Sequence, residues 1–195
     1  VRTKYNPEIH HRRSIRLAGY DYAQPGAYFV TLCVQDRLCL LGEIAHKAMT
    51  FSDWGRIAAQ SWTWLRDQYP YVSLDVWVVM PNHLHGIIVL LDDAVGACHD
   101  APLRRKPLGQ LVGAFKTTCT KKINQLQGTP GAKFWQRNYY EHIVRDERDM
   151  ARIRQYIIDN PRRWEEDRDN PANIRQLPPP ATVDDYLSDM ARYEP

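Results

Sequence analysis

The chain has 195 residues, 44% of them hydrophobic and 25% charged, with a formal net charge of +3. That length and balance fit one domain with extensions and a core that needs no covalent staples, and they exclude a disordered or fibrous chain. Charge is unevenly spread, with 18 Lys+Arg against 11 Asp+Glu from Val1 to Arg145 and 8 against 12 from Asp146 onward.

Residues 1–25 read as a basic, turn-rich arm ending in "YAQPGAY". "AYFVTLCVQ", from Ala27 to Gln35, is rich in β-branched and aromatic residues and predicts a strand. "DRLCLLGEI" predicts a turn and a second short strand. A helix is expected from about Thr50 to Gln68, capped by Thr50, Ser52 or Asp53, with Trp54, Ile57, Ala58, Trp62 and Leu65 as its apolar stripe. "YVSLDVWVVM" and "HLHGIIVLL" predict two strands joined by a tight hairpin at Pro81-Asn82. A charged loop over 92–107 leads to a helix from about Pro107 to Gln127, with Leu108, Leu111, Val112, Phe115, Cys119, Ile123 and Leu126 on one face.

"QGTPGAK" is a turn, and "FWQRNYYEHIVRD" is a strand or extended segment. A third helix is expected from Asp146 to Asn160, with acidic residues in its first turn and Pro161 at its end. The composition beyond Trp164 is acidic and proline-rich, a tail lying on the surface or partly disordered. The expected organisation is an arm (1–25), a domain (26–164) and a tail (165–195). Hairpin-joined strands with segregated helices define an α+β sandwich, a central antiparallel sheet with helices on one face.

No apolar run reaches the length of a membrane span, and "VRTKYNPEIHHRRSIR" holds no signal core. A cytoplasmic protein without a membrane partner is therefore expected. Cys33, Cys39, Cys98 and Cys119 show neither CxxC nor paired zinc spacing, and Cys33 and Cys119 read as small core residues of a reduced protein. The basic body suits a polyanion, although a solvated surface with an acidic tail accounts for it too.

Three stretches carry possible chemistry. In "VVMPNHLHGIIVL", His83 and His85 lie two apart on a strand, on one face and about 7 Å apart along it. Such a pair can share a metal ion or a phosphate, or be two ordinary histidines near a sheet edge. In "IRQYIIDNPRRW", Tyr156 and Asn160 share a helix face at i,i+4 spacing, as a core tyrosine also would. In "FWQRNYYEHIVRDE", Trp135, Arg137, Tyr139, Tyr140, His142 and Arg145 interleave aromatics with arginines, a mixture that suits unpaired bases and phosphates or one aromatic core face.

Together the three are more specific than any one. "WVVMPNHLHGIIVL" resembles the HUH motif (His, hydrophobic, His) of single-tyrosine HUH nucleases. "FWQRNYYEHIVRDERDMARIRQYIIDNPRRW" resembles the tyrosine segment of the REP-associated tyrosine transposases, and "RRSIRLAGYDYAQPGAYFVTLCVQDR" is similar to that group's amino-terminal signature. The resemblance spans Arg12 to Trp164. It implies a ferredoxin-like, RRM-like fold and the breaking and rejoining of single-stranded, hairpin-forming DNA. It makes His83 and His85 metal ligands, Tyr156 the nucleophile, and Asn160 the third ligand, one methylene shorter than the Gln often found there.

The resemblance implies Mg²⁺ or Mn²⁺, whereas imidazole ligands on general grounds suit Zn, Mn, Ni or Co. Tyr139 and Tyr140 are rival nucleophiles without an i,i+4 ligand partner, and His142 either supports the site or is structural. Lys116, Lys121, Lys122, Arg137 and Arg145 are candidate phosphate contacts, and Arg12, Arg13 and Arg16 would place the arm on DNA. A monomer is favoured over a dimer. Two other classes stay open: a non-catalytic hairpin DNA- or RNA-binding module with an RRM-like fold, and a metal-dependent hydrolase of a small molecule.

Overall fold

The computed structural model describes residues 17, 19–92, 105–167 and 169–173. Along β1 (Gly26–Cys33), Tyr28, Val30 and Leu32 enter one core while Phe29 enters another. Alternate side chains buried on both faces mark an interior strand. β1 accordingly lies between β5 (His83–Leu90) and β6 (Tyr140–Ile143), antiparallel to both. β4 (Val72–Val79) pairs with the other side of β5, giving the order β4-β5-β1-β6. With α1 (Asp53–Gln68) between β1 and β4, and α2 (Leu108–Gln127) between β5 and β6, this is the β-α-β-β-α-β arrangement of a ferredoxin-like fold.

The expected strand order misses one strand. β2 (Gly42–Ala45) and β3 (Ala48–Phe51) form a separate hairpin before α1. Its turn residues, His46 and Lys47, both have φ in the left-handed region, at 52° and 62°. Two positive φ values make the tight turn that matches strand twist, usually signalled by Asn-Gly, and His-Lys carries no such signal. The helix therefore starts after Ser52, whose hydroxyl accepts from the Gly55 N–H at 3.1 Å.

The helices do not share one face, which corrects the expectation. α1 and α2 cover the face of Tyr28, Val30, Leu84 and Ile88, with Trp62 and Phe115 edge to face at 5.5 Å. α3 (Glu147–Asp159) packs on the opposite face, placing Ile153 and Ile157 on Phe29 and Ile87. A helix stripe cannot announce which side of a two-faced sheet it will cover.

Two details fix the site's frame. Gly86 gives Trp62 room, since a Cβ there would lie 2.4 Å from the indole Cζ2. β4 carries a bulge between Leu74 and Trp77, where three steps on β4 match two on β5. It directs Asp75 towards α3, where its carboxylate accepts from Arg154 Nε at 2.8 Å and Nη2 at 2.7 Å. α3 is thereby tied to the strand beside the histidine pair.

Tyr20 and Tyr22, the end of the expected arm, pack on Tyr28. In the described head of the expected tail, residues 165–167 and 169–173, Asp167 and Asp169 are buried and Asp169 meets Asn82 and Arg37. Arg12, Arg13, Arg16, Cys98, most of the 92–107 loop and the tail beyond Asn173 lie outside the described residues.

Candidate active site

β5 passes through the centre of the sheet, so polar groups on it are cut off from water. His83 and His85 are both fully buried, with ring centroids 4.3 Å apart. Their neighbours explain how two polar rings are tolerated there. Asn82 Nδ2 donates to the carbonyls of Arg37, at 3.0 Å, and Asp169, at 2.7 Å, which fixes the amide's orientation. Its Oδ1 therefore faces His83 Nδ1 at 2.8 Å as an acceptor, and the ring must carry its proton on Nδ1. The lone pair of His83 is left on Nε2, which is buried and has no hydrogen-bond partner.

His85 is held in a similar way. Its Nδ1 lies 2.8 Å from Thr31 Oγ1, the residue directly opposite on β1. With Thr31 accepting from Nδ1–H, His85 Nε2 presents its lone pair to the Tyr156 hydroxyl at 3.2 Å. Burial, the neighbouring His85 and the charge of Arg37 hold His83 far below its ordinary pKa, and burial lowers His85 to about 3. Both rings are neutral at pH 7, the form that binds metal ions.

Tyr156 and Asn160 arrive on α3 and its end. The first turn of α3 is fixed by Asp146, whose side chain accepts from the Asp149 N–H at 2.8 Å. Tyr156 lies half-buried, its ring edge-on to Phe29 at 6.1 Å and 5.1 Å from the His85 ring. Asn160 begins the 3-10 turn that continues α3 into Pro161; it is buried and its Oδ1 has no hydrogen-bond partner. An unpaired buried acceptor costs about 1–3 kcal/mol. His83 Nε2 and Asn160 Oδ1 are two such acceptors.

Sequence reasoning missed a further group. Among the described residues, His83, His85 and Asp169 form a cluster whose ligand atoms all lie within 4.8 Å of one another. Asp169 also pairs with Arg37. Asp36 and Arg37 both have φ near +55°, a conformation that non-glycine residues adopt only when the surroundings impose it. Thr31 became visible only through strand register. Asn82 was legible in "PNHLH", but as a turn residue. The signal for Asp169 was the run "DRDNPAN", rich in Asx-turn formers.

The remaining candidates fall elsewhere. Tyr140 lies across β1 from the pair, opposite Thr31, and Tyr139 stacks under Lys116 Nζ at 5.5 Å. His142 Nε2 lies 2.6 Å from Asp149 Oδ2 and ties β6 to α3. Lys116 Nζ donates to the carbonyls of Gln136, at 2.8 Å, and Asn138, at 3.0 Å, and burial lowers its pKa to about 8. Lys116, Lys121 and Arg137 line a groove of about 1020 Å³ beside the carboxy-terminal half of α2, together with Lys133 and without a single Asp or Glu. Lys122 and Arg145 are exposed and do not line it.

Fold and site together define a ferredoxin-like α+β protein whose sheet centre holds two neutral histidines against a helix-borne tyrosine. No protein-family model matches the chain. An uncharacterised protein of Haemophilus influenzae is 40% identical over 179 residues, 85% of this chain and 96% of that protein, and the chain belongs to one family with it. A second protein of that organism, named "Putative REP-associated tyrosine transposase", is 25% identical over 142 residues, 72% of this chain and 73% of its own. A REP-associated tyrosine transposase solved bound to a REP hairpin shares the fold, with a TM-score of 0.53, 19% identity and coverage of 76% of this chain and 73% of its own. The chain is thus similar in sequence to one protein named "Putative REP-associated tyrosine transposase" and shares its fold with a solved one.

Proposed function

We propose that the chain is a metal-dependent, tyrosine-nucleophile endonuclease and strand transferase acting on single-stranded, hairpin-forming palindromic DNA. The observation that carries this reading is the meeting of Tyr156 Oη with His85 Nε2 at 3.2 Å, across 71 residues of chain. A core tyrosine also seeks a hydrogen-bond partner; this one finds it on a histidine of the candidate metal pair, where a nucleophile toward phosphate must stand.

His83 and His85, with Asn160, would hold Mg²⁺ or Mn²⁺; the ion supplies Lewis-acid polarisation and a template for a phosphodiester. Asn82 keeps the His83 imidazole in the tautomer whose Nε2 carries the lone pair, and Thr31 Oγ1 anchors the His85 ring at Nδ1. Tyr156 Oη attacks phosphorus and the P–O3′ bond breaks. The proton released by the phenol balances the one taken by the leaving 3′ oxygen. The products are a 5′-phosphotyrosine and a free 3′-OH, and the preserved ester bond lets another 3′-OH reverse the step and join strands. The basic groove beside α2 supplies a phosphate-binding surface through Lys121, Lys133 and Arg137.

The test is a labelled hairpin oligonucleotide incubated with the protein and Mn²⁺, then run on a denaturing gel. A covalent adduct that Tyr156→Phe abolishes while hairpin binding persists is expected. Full adduct from Tyr156→Phe would remove Tyr156 as the nucleophile. Binding without adduct in several metals would favour a non-catalytic hairpin-binding module.

A further inference from the structure

We infer that Asp169 is a direct ligand of the metal ion, supplied by a strap beyond the tyrosine helix, so that a carboxylate joins the two imidazoles and Asn160 around it. This rests on the metal-site reading above and adds a ligand outside the motif residues.

Ligand atoms bound to one ion at about 2.0–2.2 Å lie at most about 4.4 Å apart. The ligand atoms of His83, His85 and Asp169 already lie within 4.8 Å of one another, so a small side-chain rotation brings all three onto one ion. His83 Nε2 is buried and without a hydrogen-bond partner, a lone pair free to bind a cation. Asp169 is 2% exposed, so its charge cannot be left to solvent.

The strap is built to place that carboxylate. The Asp169 N–H donates to Asp167 Oδ1 at 2.6 Å, closing a tight Asx turn. Asn170 Nδ2 donates to the Trp164 carbonyl at 2.8 Å. Asn173 Nδ2 spans the Glu165 and Asp167 carbonyls at 2.8 and 2.9 Å. The Asp169 carbonyl takes the Asn82 amide that also sets the His83 tautomer, and the Trp164 ring lies 6.1 Å from that of His83. One amide therefore couples the strap to the imidazole it would share an ion with. Arg37 neutralises the carboxylate while no cation does so. A carboxylate also explains how an imidazole-rich site takes a hard ion, since oxygen ligands suit Mg²⁺ and Mn²⁺.

The test measures Mn²⁺ and Zn²⁺ affinity by titration calorimetry on the full chain, wild type and Asp169→Asn. Asp169→Asn keeps the backbone bonds and side-chain shape. It should weaken Mn²⁺ at least ~10-fold, the lower bound for groups that only support a ligand, and weaken Zn²⁺ less. A second measurement needs no variant: Mn²⁺ should slow amide hydrogen exchange over residues 164–167 and 169–173 of the wild-type protein. Equal Mn²⁺ affinity in Asp169→Asn, or strap exchange unmoved by bound Mn²⁺, overturns the inference alone. A wild-type chain that holds no Mn²⁺ overturns the metal-site reading with it.

Discussion

Tyr156→Phe should strengthen metal binding even as it abolishes covalent chemistry. The Tyr156 hydroxyl hydrogen-bonds the same His85 Nε2 lone pair that a metal ion would use, so loading the site must break that bond. A hydrogen bond is worth about 0.5–1.5 kcal/mol net, which corresponds to roughly a two- to twelvefold change in affinity. At 3.2 Å this one is long for a hydroxyl donor, and the half-buried tyrosine regains water when displaced. Both facts select the lower half, about two- to fivefold. Phenylalanine keeps the packing against Phe29 and His85, so little else changes. Calorimetric titration of Mn²⁺ into wild type and variant reads the ratio directly. Unchanged or weaker binding in the variant would refute the claim that phenol and ion compete for one lone pair.

Other outcomes follow from the same geometry. Asn82→Ala releases the His83 tautomer and should lower Mn²⁺ affinity ~10–100-fold in the same titration. Gly86→Ala drives a Cβ to 2.4 Å from Trp62 Cζ2, an overpacking that costs about 1–3 kcal/mol. At about 2–4 °C per kcal/mol for a chain of this size, calorimetry should show Tm lowered by ~2–12 °C. Lys121→Ala should weaken hairpin binding and reduce the slope of log K against log salt by about 0.7–0.9, the value for one lost phosphate contact. Burial raises the Asp149 pKa, but the bonds from His142, the Arg145 N–H and Arg152 outweigh it and leave the pKa below the ordinary 3.8. Its contribution is then fully present above that value and is lost as pH falls through the lower folded pKa. Asp149→Asn should flatten the acid limb of the stability curve in that window.

Much of this was legible in the residues because the signals were local. The "HLHG" strand, the Pro81-Asn82 turn and the i,i+4 spacing of Tyr156 and Asn160 each need only a few neighbours to interpret. What escaped depended on pairing across the chain. Thr31 matters because β1 register sets it opposite His85. α3 covers the second sheet face because Phe29 and Ile87 leave an apolar surface there, which a single helix stripe cannot reveal. The β2–β3 hairpin escaped because its turn uses His-Lys in place of glycine. Asp169 was read as tail composition because acidic residues near a proline-rich run look solvated until their burial and a partner such as Arg37 are found.

The histidine couple belongs to the middle of the chain, whereas the phenol and the Asp169 strap belong to its last quarter. A polypeptide caught midway through synthesis therefore carries imidazoles with nothing to strike a phosphodiester. On the mechanism proposed above, strand breaking would wait until the final helix and strap emerge and dock, so the order of translation would keep an unfinished chain inert.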